Sequence, residues 1–160
     1  QANYLTKLHS SIDRLRNEYG LRCILLDCPP TLGLLSMNSL CAADHLLVTL
    51  QSEYLALEGL GQIVGVIDQL KVAGANPRLS LGGIVMTMYD NRTRLSYEVW
   101  QEVSSHYPNE VFRTAIPRTV RLSEAPSFGK TIFEYDPRSL GAQAYAALTK
   151  EVIKRFLPTP

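Results

Sequence analysis

Apolar side chains recur at alternating steps of three and four from Leu5 through Leu8, Ile12 and Leu15 to Tyr19. This spacing predicts one face of an amphipathic helix, with Gly20 as its stop. Residues 23–26 then form a short uninterrupted apolar run that ends at Asp27 and meets Pro29 and Pro30. Such a run predicts a strand buried on both faces, as in a parallel sheet. A short helix over 34–43 and a second buried strand over 45–50 follow. Leu60, Ile63, Val64 and Ile67 sit at i, i+3, i+4 and i+7 and predict a helix that residues 74–77 (GANP) break. A third strand is predicted over 81–88, and a helix on Leu95, Val99 and Val103 that Pro108 closes. A weaker fourth strand covers 111–116 and stops at Pro117. A short helix over 119–125 and a final one on Tyr145, Leu148, Val152 and Phe156, ended by Pro158, complete the pattern.

Strands and helices therefore alternate, which predicts an α/β fold: a parallel sheet with helices on both faces. No internal repeat, low-complexity tract or flexible linker interrupts the order, so residues 1–160 are read as a single domain. In such a sheet ligands sit beyond the carboxyl ends of the strands. Those ends are 27–30, 51–53, 89–90 and 117–118, and three of the four carry an acid or a base.

Composition narrows the function classes. With 46% apolar and 19% charged residues the chain suits a packed core, and a net charge of +1 makes any nucleic-acid contact a matter of a local patch. Cys23, Cys28 and Cys41 are an odd set without a CxxC pair, and His9, His45 and His106 have no ligand spacing; neither set predicts a metal site or a disulfide framework. No apolar stretch is long enough to span a bilayer. The tail over 150–160 holds three lysine or arginine residues and ends in prolines, which suits a closing core helix better than a membrane anchor. The chain opens on Gln1 directly into a helical pattern, and is read as part of a longer protein.

Candidate chemistry starts at Asp27. A carboxylate at the end of a buried strand can hold a hydrated Mg²⁺ beside nucleotide phosphates, and Pro29 and Pro30 set the path of the loop that leads to Gly33. Gly129-Lys130-Thr131 imitates the end of a phosphate-binding loop, but the position of its first glycine holds Glu124 and no strand precedes it, so it is rejected as a phosphate cradle. No G-x-S-x-G elbow supports nucleophilic catalysis. Arg113, Arg118, Arg121 and Lys130 gather in one stretch opposed by Glu124, and Arg92 and Arg94 follow another strand end. On one side of the fold they would suit a phosphate backbone; otherwise they are a solvated face.

Five blocks, in order and with compatible spacing, carry a resemblance: LLDCPPTLGLLSMNSL (25–40), QSEYLALEGL (51–60), TMYDNRTRLS (87–96), IPRTVRLSEAPSFGKTI (116–132) and YDPRSLGAQAYAAL (135–148). Over most of the chain the sequence resembles the ParA/Soj family of deviant Walker P-loop ATPases, which partition plasmids and chromosomes. The resemblance implies a partial P-loop NTPase domain. Asp27 would be the Walker-B acid near Mg²⁺, residues 28–33 the switch loop, and Pro117 and Thr119 the adenine side of an ATP pocket. The family commonly has Asn where this chain has Thr119, which lacks the amide. Met88 would pack against the purine.

Family members dimerise around ATP, bind DNA without sequence preference and work with a ParB-type centromere-binding protein in the cytoplasm, on the nucleoid. Arg121, then Arg118, Arg92 and Arg94, are the DNA-binding candidates the resemblance implies. The family's KGGVGKT-like loop and second acidic motif lie upstream of the region matched here. The chain alone is thus expected to bind ATP weakly or not at all, while the complete protein would hydrolyse it. Two other readings are an interaction module without a phosphate loop that binds DNA or a partner ATPase, and a MinD-like membrane-associated ATPase.

Overall fold

The computed structural model describes residues 7–157; Leu5 of the first predicted helix and Pro158 after the last lie outside them. The elements are α1 (Lys7–Tyr19), α2 (Leu34–Ala42), β1 (His45–Gln51), α3 (Tyr54–Val72), β2 (Ser80–Thr87), α4 (Arg94–His106), α5 (Val120–Glu124), α6 (Ile132–Tyr135) and α7 (Leu140–Phe156), with a 3-10 turn (Ala125–Phe128) between α5 and α6. Strand β1 pairs with β2. Ser80 N–H donates to the Asp44 carbonyl (3.1 Å) and the Thr87 hydroxyl to the Leu50 carbonyl (3.2 Å), so the two strands advance together and are parallel. Gly83, Ile84, Val85 and Met86 are buried in succession on β2, as the continuous apolar run requires. The chain is an α/β protein with a parallel sheet and helices.

Two predicted strands are not strands. Residues 23–29 form neither helix nor strand; Ile24 and Leu26 are half-buried while Leu25 is exposed. An apolar run predicts burial, but a strand also needs a neighbouring edge, and none pairs with it among the described residues. The stretch 111–116 joins β2 through single parallel bridges, Ile84 with Val111 and Tyr89 with Pro117. Phe112 N–H donates to the Ile84 carbonyl (2.9 Å), and Ile116 N–H to the Met86 carbonyl (2.8 Å). Two residues on β2 therefore face four on the other side, and the excess loops out.

The loop is held by Glu151 of α7. Its carboxylate accepts from the backbone N–H groups of Arg113 and Thr114 (both 2.9 Å) and from the Thr114 hydroxyl. The donors that a ladder would have used are satisfied by a side chain, which is why the segment stops being a strand. Burial pushes the Glu151 pKa up, but the Thr114 hydroxyl, the two N–H groups and the Arg155 charge pull it below the ordinary glutamate value. A depressed folded pKa gives stability that is present above the unfolded value, about 4.3, and lost as pH falls through the folded one. Glu151→Gln is expected to cost about 1–2 kcal/mol at neutral pH. The gap in melting temperature between the two proteins should close on acidification toward about pH 3; a gap independent of pH would contradict this role.

Two compact units can be described, residues 7–46 with 62–82, and residues 47–61 with 83–157. In the first, Leu40 and Cys41 of α2, Ile67 and Leu70 of α3, and Leu79 form the core. Asn76 is buried there and its amide donates to the carbonyls of Leu40 (2.8 Å) and Ala43 (2.7 Å), tying the end of α2 to the turn before β2. In the second unit Val85, Phe112 and Ile116 form a core that Leu148, Val152 and Phe156 of α7 cover. Ala125, Ile132 and Ala142 form a smaller one beneath α5 and α6.

Candidate functional site

Asp27 lies in the first unit, on the irregular segment after 23–26. It is exposed and makes no ion pair or side-chain hydrogen bond among the described residues. Ser36 of α2 fixes the far end of the following loop, its buried hydroxyl donating to the Thr31 carbonyl (2.5 Å) and standing 3.3 Å from that of Pro29. An unpaired carboxylate beside an anchored loop has donor chemistry suited to a hydrated Mg²⁺. No group of three or more His, Cys, Asp or Glu side chains that could hold a metal alone occurs among the described residues. Such an ion would rely on water and phosphate oxygens for its other ligands.

The remaining seven candidates belong to the second unit. Met88, Pro117 and Thr119 are brought close together by the bridge between Tyr89 and Pro117. Tyr89 N–H donates to the Ile116 carbonyl (3.0 Å), and Arg118 N–H to the Tyr89 carbonyl (3.1 Å). Both bonds use groups flanking Pro117, so its missing N–H costs nothing in the pairing. Met88 directly follows β2 with φ 50, a left-handed conformation uncommon for a side chain without a local hydrogen-bonding group. It leaves the thioether 52% exposed at the carboxyl end of the strand. The Thr119 hydroxyl accepts from Leu122 N–H (3.3 Å) and caps α5. This threonine thus has a local task whatever else it contacts, and it starts the helix that carries Arg121.

The four arginines have different surroundings. Arg92 is clasped by Asp90, with Nε to Oδ1 at 2.9 Å and Nη2 to Oδ2 at 2.7 Å, while its backbone N–H also donates to Oδ1 (3.0 Å). The Arg92 hydrogen bonds, with the Arg118 charge nearby, lower the Asp90 pKa to about 2. Arg94 pairs with Glu98 at 2.7 Å along α4. Arg121 is shared between Glu124 (3.2 Å) and Asp136 (3.6 Å), and the Tyr135 hydroxyl donates to the same Glu124 (3.0 Å). Arg118 is exposed and has no ion pair among the described residues. The basic stretch is therefore opposed by Asp136 as well as Glu124. The i,i+4 and i,i+3 partners were readable from spacing, whereas Asp136 reaches Arg121 only through the turn between α5 and α6.

The imitation of a phosphate loop at 129–131 is two caps. Gly129 (φ 64) ends the 3-10 turn in the left-handed region, where a side chain would be strained. Thr131 and Glu134 form a reciprocal capping box at the start of α6.

Known proteins share this arrangement. A family model described as AAA domain matches residues 1–81. The chromosome partitioning protein ParA of Myxococcus xanthus is 46% identical over 158 residues, covering 99% of this chain and 55% of that protein. The chromosome-partitioning ATPase Soj of Thermus thermophilus is 48% identical over 143 residues, covering 89% and 57%. The chain thus spans about half the length of these curated relatives. Among solved structures, a cobyrinic acid a,c-diamide synthase from Mycobacterium smegmatis, with a bound ATP analogue and magnesium, superposes with a TM-score of 0.79 at 30% identity, covering 99% of this chain and 57% of the other.

Proposed function

The chain belongs to the AAA domain family and is a homologue of the ParA and Soj chromosome-partitioning proteins, and from that premise we propose that the protein carrying it segregates DNA in an ATP-dependent way. The collinear identity to ParA over 99% of the chain carries this reading. In it, Asp27 holds Mg²⁺ through water, and Met88, Pro117 and Thr119 line the base side of an ATP pocket. The bound ion would neutralise phosphate charge during hydrolysis. The likeness to a synthase with an ATP analogue and magnesium supports both ligands. Arg118, Arg121, Arg92 and Arg94 contact DNA phosphates in an ATP-dependent homodimer, which a ParB-type protein addresses. The protein works in the cytoplasm, on the nucleoid. No helix among the described residues is long and apolar enough to cross a membrane.

Ion pairing ranks the arginines for the DNA role. A cation already held by carboxylates must give up that contact to meet a phosphate, so Arg118 is the most available of the four. In the full-length protein, Arg118→Ala is expected to weaken binding alike for DNAs of unrelated sequence and to lower the salt slope by about 1. Fluorescence anisotropy across a salt series measures both. ATP hydrolysis that DNA does not stimulate, together with no salt-dependent DNA binding, would overturn the reading.

A further inference from the structure

Outside that site, a groove of about 660 Å³ runs between the first turns of α3 and α4 in the second unit. Tyr54, Leu57 and Glu58 form its α3 wall at i, i+3 and i+4, and Leu95, Glu98, Val99 and Glu102 its α4 wall at i, i+3, i+4 and i+7. Each wall is therefore one stripe of a helix, and the groove follows the helix axes for about two turns. Its apolar residues are poorly covered: Tyr54 is 75% and Leu95 47% exposed. Exposed apolar side chains rimmed by charge mark an interaction surface.

The rim chooses the occupant. Glu58, Glu98 and Glu102 put three carboxylates on the groove, against which stand Arg94, 2.7 Å from Glu98, and His106, 3.6 Å from Glu102. Both pairs are exposed i,i+4 contacts, weak enough for an incoming cation to replace. Nucleic acid and other anions are repelled by such a rim. We propose that this groove docks a basic amphipathic helix of a partner protein, with its apolar stripe on Tyr54, Leu57, Leu95 and Val99 and its lysines or arginines against the three glutamates. The proposal rests on this geometry and not on the reading of the ATP site.

A synthetic Leu/Lys amphipathic peptide of roughly four turns serves as the probe, with the full-length protein and fluorescence anisotropy as the measurement. Binding is expected to weaken by about tenfold or more in the combined Glu58→Gln, Glu98→Gln and Glu102→Gln variant and to fade at high salt. Asp44→Asn with Asp68→Asn, which remove two exposed acids of the other unit, should leave it unchanged. A separate Leu95→Ser variant, at unchanged charge, should also weaken it. Equal affinity in the triple-glutamine variant, equal loss in the control variant, or equal binding of a Leu/Glu peptide would each overturn the proposal.

Discussion

Phe112→Ala is expected to destabilise the protein by about 3–5 kcal/mol, the range for removing a fully buried aromatic side chain. The ring is 0% exposed and packs with Val85 and Ile116, under the apolar stripe of α7. One face lies against β2 so closely that a Cβ on Gly83 would stand 2.2 Å from the ring. The Arg155 guanidinium lies 4.0 Å from the ring centroid, and its Nη1 donates to the Glu110 carbonyl (2.9 Å). Glycine on one side and a pinned guanidinium on the other leave little freedom for the site to collapse, which places the cost high in the range. The residue also stands where the bridged segment leaves β2, between the Ile84 and Ile116 pairings. Losing the ring should loosen the loop that Glu151 holds and the path to Pro117. Urea unfolding of wild-type and variant proteins measures the difference; a loss below about 1 kcal/mol would mean that the ring is not the anchor described here.

How far the sequence reveals this fold depends on whether a feature is local. Helical stripes on Leu95, Val99 and Val103, and on Leu148, Val152 and Phe156, are periodic within one element, and the helices are there. The four residues Gly83–Met86 announced a strand buried on both faces, and β2 is that strand. Failures came where pairing decides. The run 23–26 has strand composition but no ladder, and 111–116 yields two N–H groups to a carboxylate 37 and 38 residues away. Neither outcome can be computed from the segment itself.

The candidate site divides in the same way. Met88, Pro117 and Thr119 were brought together in sequence only by the resemblance, because Met88 and Pro117 are joined by a bridge between distant segments. Arg92 and Arg94 lie two and four residues from their acids, so their ion pairs are local and legible. The start of α3 was placed at Leu60, though the helix begins at Tyr54. Half of the groove between α3 and α4 was hidden by that six-residue error in a helix boundary.

Asp27→Ala is expected to lower Mg²⁺-dependent ATP turnover of the full-length protein by about 100-fold or more. A carboxylate that positions a metal among phosphates stabilises developing charge by several kcal/mol, and each 1.4 kcal/mol is a factor of ten in rate. The same substitution should change stability by no more than about 0.5 kcal/mol, because the side chain is exposed and has no partner among the described residues to lose. This separation between a large kinetic and a small thermodynamic effect distinguishes a ligand-facing acid from a strand exit that merely ends an apolar run. Asp27→Asn sharpens the test, since it keeps the shape and removes the charge. Steady-state hydrolysis at several Mg²⁺ concentrations, beside urea unfolding of the same preparations, gives both numbers. Unchanged turnover at saturating Mg²⁺ would remove Asp27 from the mechanism. A loss of turnover matched by a loss of stability would instead assign it a structural task, in the loop that Ser36 anchors through the Thr31 and Pro29 carbonyls.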